Sequence, residues 1–291
     1  MSVNKSHKRW LWGLALFTIL ITSIPYLLGY ARQGNDWVFS GFAFGVEDGN
    51  SYIAKMLSGQ AGEWLFRTPY TTQPQNGFLA FLPYLLLGKL AGGSEIHPQL
   101  VTLFHLFRAG GILLYVFATY DFCRIFLRDE RWQRWAVALA TFGGGLGWVS
   151  ILGLQTGGYE GLPLEFYSPE SFGFLGVFGL PHLAAARALL LWGLAGFLSQ
   201  PQARSFLHGL KSGATWLLLG FLQPLTIVSA WVVITAGVGL HWVWLRLSRL
   251  DEAALAIEME GWWRRLWTAA GMVLISSPMV LYNFLSFSRD P

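Results

Sequence analysis

Apolar stretches at about 10–30, 99–123, 135–154, 181–199, 207–245 (broken at Pro224) and 266–287 each reach or approach the length that crosses a bilayer. This recurrence constrains the fold more than any other feature. The backbone of a spanning segment must satisfy its own hydrogen bonds, so each stretch is expected to be a helix. The chain is 54% hydrophobic and only 12% charged, which leaves too few polar residues to solvate so many apolar faces. The expected class is an all-α polytopic membrane protein, with 1–291 forming a single transmembrane domain.

Two classes of function recede on composition. The net charge of +4 comes without a basic run interleaved with aromatics, so no nucleic-acid partner is expected. The single cysteine, Cys123, excludes an intramolecular disulfide and any multi-cysteine metal motif. Lys5, Lys8 and Arg9 precede a run, Trp10 to Leu28, that is long for a signal peptide and lacks a small-x-small exit; an uncleaved anchor is expected.

Charge placement orients the spans. With the N-terminus inside, thirteen Lys and Arg lie inside (Lys5, Lys8, Arg9, Arg124, Arg128, Arg131, Arg134, Arg204, Lys211, Arg246, Arg249, Arg264, Arg265) and five outside (Arg32, Lys55, Arg67, Lys89, Arg289). The positive-inside rule selects this arrangement, in a bacterial-type plasma membrane with a cytoplasmic N-terminus. The outer face then carries two acidic loops, 31–98 and 155–180. The shorter apolar piece at 77–91 reads as a helix against the outer face, and 250–265 as an inner surface helix.

The first outer loop holds the residues most suited to chemistry. In the run FGVEDGNSY, Phe44 to Tyr52, Glu47 and Asp48 form an acidic pair next to a membrane span. A carboxylate there can accept the proton of a hydroxyl or orient it. An enzyme on this face has no nucleotide sugars, so a glycosyl donor would be lipid-linked, with a polyprenyl phosphate as leaving group. Guanidinium and ammonium groups suit the developing phosphate charge, and Arg67, Lys55, Arg108, His182 and Arg187 are the candidates, with Asn50, Tyr52 and Tyr70 as further substrate contacts. Arg108 lies inside the second span, where a lone charge costs about 2.5–3.5 kcal/mol on insertion scales, so it must face a partner or a polar cavity. Glu160, Glu165 and Glu170 of the second loop, with the acidic pair, offer oxygen ligands for a divalent cation, the only cofactor considered. The glycines from Gly143 to Gly147 fall inside an apolar stretch and suit close helix packing.

A basic N-terminus, one span and an outer loop with an acidic pair ahead of short juxtamembrane helices resemble the N-terminal part of GT-C fold glycosyltransferases. That superfamily includes the protein O-mannosyltransferases and the aminoarabinose transferases acting on lipid A. The resemblance rests on the run from Glu47 to Met56 (EDGNSYIAKM) and on GEWLFRTPY, Gly62 to Tyr70. It implies a GT-C-like helical bundle and a polyprenyl-phosphate sugar donor, with the catalytic base at Asp48 or Glu47. The chain departs from the pattern where many relatives carry His-Pro-Pro: Thr72 to Asn76 (TQPQN) stands there instead. Relatives continue through more spans, so a protein partner completing the fold is also expected. The alternatives are a non-catalytic membrane subunit of a larger complex and a transporter of an anionic lipid or solute.

Overall fold

A computed structural model describes residues 5–68, 70–147, 149, 163–199 and 204–289. The described residues are helical with no strand. Ten α-helices run in the order α1 (Lys5–Arg32), α2 (Val46–Gln60), α3 (Leu82–Gly88), α4 (Ile96–Phe126), α5 (Glu130–Phe142), α6 (Gly173–Gly179), α7 (Pro181–Leu198), α8 (Ser205–Leu219), α9 (Pro224–Leu247) and α10 (Glu252–Arg289) among these residues. By length and composition, α1, α4, α7, α9 and α10 can each cross a bilayer, consistent with a helical membrane protein. The chain divides into two compact units, Met1–Phe66 with Phe81–Ala188, and Arg67–Ala80 with Leu189–Pro291.

In the first unit, α1 and α4 run antiparallel. The His7 ring near the start of α1 lies 4.6 Å from that of Tyr120 near the end of α4, and Tyr26 near the end of α1 lies 4.5 Å from His105 near the start of α4. The hydroxyls inside apolar α1 satisfy themselves: Thr18 donates to the Leu14 carbonyl (2.8 Å), Thr22 to Thr18 (2.7 Å) and Ser23 to Ile19 (2.6 Å). One end of this unit gathers Lys5, Lys8, Arg9, Arg124, Arg128, Arg131 and Arg134. The other end carries α2, α3 and the start of α7. Asp129 caps α5 by accepting from the Arg131 N–H at 2.7 Å.

The short helices α2 and α3 lie on α4. Ile53 and Met56 of α2 and Tyr84 of α3 pack on Leu100, Val101 and Phe104, all nearly inaccessible. The two short helices touch backbone to backbone. A Cβ at Gly59 would collide with the Leu85 carbonyl oxygen, and one at Gly88 with that of Met56. Pro83 at the start of α3 loses no helical hydrogen bond, because that N–H has no intrahelical partner. With seven residues, α3 is too short to span.

Within the apolar stretch expected to span 135–154, the helix that begins at Glu130 ends at Phe142, and of the described residues beyond it only Val149 is helical. Gly143 to Gly147 lie beyond that end, where the Gly147 N–H donates to the Glu165 carboxylate and a Cβ at Gly145 would strike the same group. These glycines make room for an acidic side chain; residues 150–162, Glu160 among them, lie outside the described residues.

In the second unit, α8 and α10 form the closest pair. Gly209 and Gly213 of α8, Gly220 just past its end and Gly271 of α10 remove the side chains that would hold them apart; a Cβ at Gly213 would stand 2.6 Å from Met272 Cα. The chain turns at Phe221–Gln223 and Pro224 starts α9. Trp231 and Trp262 then tie α9 to α10, donating to Ser276 Oγ and the Val238 carbonyl, each at 3.0 Å. The charged stretch 250–265 and the apolar one after it form one continuous 38-residue helix. Nothing in the sequence forces a break at Gly261, and an isolated glycine costs a helix only about 1 kcal/mol.

Candidate functional site

Helix α2 positions the acidic pair. Gly45 precedes it with φ +58°, a left-handed conformation open to glycine, and turns the chain so that Glu47 and Asp48 fall in the first helical turn. There the unpaired N–H groups favour negative charge. Both carboxylates are exposed, and neither has a hydrogen-bond or ion-pair partner among the described residues. Asn50 is exposed on the same helix.

The inner face of α2 is more constrained. Lys55 is only 7% exposed, and its ammonium donates to Ser51 Oγ at 2.6 Å. It also lies over the rings of Phe81 (4.4 Å), Tyr52 (4.7 Å) and Phe66 (5.6 Å). Burial lowers its pKa below the ordinary lysine value, and the Asp48 carboxylate pulls it partly back. Tyr52 stacks on Tyr84 with centroids 4.4 Å apart. His182, at the start of α7, reaches both hydroxyls: Nδ1 lies 2.8 Å from Tyr84 Oη and Nε2 3.5 Å from Tyr52 Oη. Burial raises the pKa of both tyrosines well above the usual range, with Asp48 adding to the shift in each. The structure thus brings Asp48, Tyr52, Lys55 and His182 together around Tyr84, which the sequence reading did not single out.

Arg108 and Arg187, on two of the helices long and apolar enough to cross a bilayer, have protein partners. Arg108 is 2% exposed and donates to Thr22 Oγ1 (2.6 Å), Ser23 Oγ (2.8 Å) and His105 Nδ1 (3.3 Å). His105 Nε2 sits 3.0 Å from the Gly41 carbonyl, which requires the proton there and leaves Nδ1 to accept from Arg108. Ser23 and His105 also line a cleft of about 510 Å³ between α1 and α4, with Tyr30 and Thr102. Arg187 spends its guanidinium on the carbonyls of Pro169 (2.6 Å), Glu170 (2.8 Å), Phe172 (3.1 Å) and Gly173 (3.4 Å). Gly176 leaves the space that group fills. The clasp fixes the backbone of Glu170, whose charge reaches Tyr52.

Arg67 and Tyr70 belong to the second unit, where Tyr70 is 73% exposed. Beside them Gln75 pairs with the Thr68 backbone through two 2.8 Å hydrogen bonds. Of the three glutamates considered as cation ligands, Glu165 is engaged by Gly147, Glu170 lies near Tyr52 and Glu160 falls outside the described residues. Among the described residues no group of three or more His, Cys, Asp or Glu side chains is placed to hold a metal ion.

The partners of Arg108 leave a signal in the sequence. Thr18, Thr22 and Ser23 form a hydroxyl stripe on an otherwise apolar span, the pattern of a helix facing a polar neighbour. Tyr84 left none, since an aromatic in a leucine-rich heptapeptide reads as packing. No protein-family model, curated protein or solved structure matches the chain.

Proposed function

We propose that this chain is a GT-C-like membrane glycosyltransferase that moves a sugar from a polyprenyl-phosphate donor to a hydroxyl acceptor on the outer face. The observation that carries the reading is the acidic pair: two unpartnered carboxylates at the amino end of a helix packed on a spanning helix. Asp48 is the better placed of the two, standing one turn before Tyr52 on the same face of α2. The basic end of the first unit lies opposite α2, which under the positive-inside rule turns the acidic pair outward. There only a lipid-linked donor is at hand.

In this reading Asp48 takes the acceptor proton as the hydroxyl oxygen attacks the anomeric carbon, and the polyprenyl phosphate leaves with the bonding pair. The donor phosphate meets a cation other than Arg108 and Arg187, whose N–H groups are largely spent on protein acceptors. The test is glycan transfer in membranes carrying Glu47→Gln, Asp48→Asn or both; unchanged transfer in the double variant removes the pair from the mechanism.

A second reading draws on the same arginines. Buried cations satisfied by neutral protein groups also suit a non-catalytic subunit that assembles with another membrane chain. A stable partner that copurifies and carries the transfer activity itself, with the acidic pair dispensable, would favour it.

A further inference from the structure

His182 joins three elements of the first unit, and its partners fix where its proton sits. Tyr84 is 1% exposed, and among the described residues its hydroxyl meets only His182: Nδ1 at 2.8 Å and the backbone N–H, which can only donate to the phenol oxygen. Leaving a buried O–H unpaired is costly, so Tyr84 donates to Nδ1. No carboxylate among the described residues bonds to this ring, and a neutral imidazole has one donor and one acceptor nitrogen. With Nδ1 accepting, the proton is on Nε2, which faces Tyr52 Oη at 3.5 Å, the long limit of a hydrogen bond. Tyr52 oxygen is therefore the acceptor. Its own hydrogen has no partner among the described residues. The chain runs one way, Tyr84 to His182 to Tyr52, and ends on a free phenolic O–H.

The neighbours of that O–H decide what it can meet. Asp48 stands four residues before Tyr52, one turn away on the same face of α2. Asp48 and Glu170 both add to burial in keeping the Tyr52 hydroxyl protonated. Two carboxylates repel a phosphate. A neutral hydroxyl instead finds both partners it needs, donating to Asp48 and accepting from Tyr52.

We propose that His182 is a positioning residue that presents Tyr52 as a hydrogen-bond donor, and that Tyr52 and Asp48 together hold one hydroxyl of a sugar or polyol. Identifying that hydroxyl with the acceptor rests on the transferase reading. The proton arrangement and the hydroxyl site do not.

The test uses the full chain in lipid nanodiscs with isotope-labelled histidine, the His182 nitrogens being assigned by their loss in His182→Gln. Expected are an unprotonated Nδ1 and a protonated Nε2 in the wild type, a pattern that Tyr84→Phe disturbs and Tyr52→Phe leaves unchanged. A protonated Nδ1 in the wild type overturns the directional chain. Methyl β-glucopyranoside should then shift the Nε2 resonance, an effect lost in Tyr52→Phe and Asp48→Asn, whereas inorganic phosphate should not. A shift with phosphate alone, or with neither probe, overturns the hydroxyl site. In the transfer assay Tyr52→Phe should raise the acceptor KM about tenfold and leave the donor KM unchanged, the worth of one lost hydrogen bond. Absence of transfer by the wild type would end the enzymatic reading while the resonances still decide this one.

Discussion

Replacing Gly59 with alanine adds one methyl group at the crossing of α2 and α3, and the structure says what that methyl meets. It would overlap the Leu85 carbonyl oxygen, as a methyl at Gly88 would overlap that of Met56. Restoring ordinary contact needs the two short helices to separate by about 1–1.5 Å. Backbone atoms cannot turn aside as a flexible side chain does, so the cost falls at the upper end of the roughly 1–3 kcal/mol seen for overpacking. The better helix propensity of alanine returns about 1 kcal/mol. A net loss of about 1–2 kcal/mol follows for either single variant. One separation relieves both clashes, so Gly59→Ala with Gly88→Ala should cost clearly less than the sum of the two. Gly13→Ala is the control: it lies in α1 with nothing within 4 Å of a Cβ, and should be neutral or slightly stabilising. The assay is the thermal unfolding midpoint in a fixed detergent, with amide exchange across 46–60 and 82–88 to localise the loss. If Gly59→Ala behaves like Gly13→Ala, or if the two costs simply add, the close crossing is not the contact that holds α2.

Lys55 makes a pH-dependent prediction. Its folded pKa lies below the ordinary 10.5, so between those values the unfolded chain binds more protons and stability rises with pH. Lys55→Met should therefore raise the unfolding midpoint relative to wild type at pH 7, with the advantage shrinking as pH approaches 10.5; a constant difference would refute the burial penalty. Arg108→Met keeps the volume and removes a buried charge that has no carboxylate partner among the described residues, so its midpoint should equal or exceed the wild type. Thr22 and Ser23 keep acceptors for their own hydrogens, whereas Arg108→Ala leaves a cavity and should cost about 2–3 kcal/mol; a drop for Met as large as for Ala contradicts this. In the second unit Gly213→Val should cost about 2–3 kcal/mol, because its side chain would enter the backbone of α10 at Met272; a neutral midpoint would refute the α8–α10 seam.

The helices long and apolar enough to cross a bilayer were legible because length and hydropathy leave a chain like this few other options: the apolar stretches opening at Trp10, Gln99 and Pro181 correspond to α1, α4 and α7. Their ends were less so. The 135–154 stretch stays apolar past Phe142, but helix α5 stops there at a glycine run that receives Glu165, a residue brought close only by the fold. Nor does hydropathy mark an element boundary at Gly261 inside α10. Residue type alone singled out Asp48, Tyr52, Lys55 and His182, but not what joins them. Tyr84 lies 98 residues from His182, and the Arg108 acceptor Thr22 is 86 residues from that arginine. Such pairings depend on which helix faces meet, which periodicity does not specify.

The most direct measurement of the central claim is the initial rate of lipid-linked sugar transfer by membranes containing Asp48→Asn at wild-type abundance and fold. The account predicts a fall of at least about a hundredfold, the usual worth of a positioned general base, with a much smaller loss for Glu47→Gln. Transfer by Asp48→Asn at the wild-type rate would contradict it.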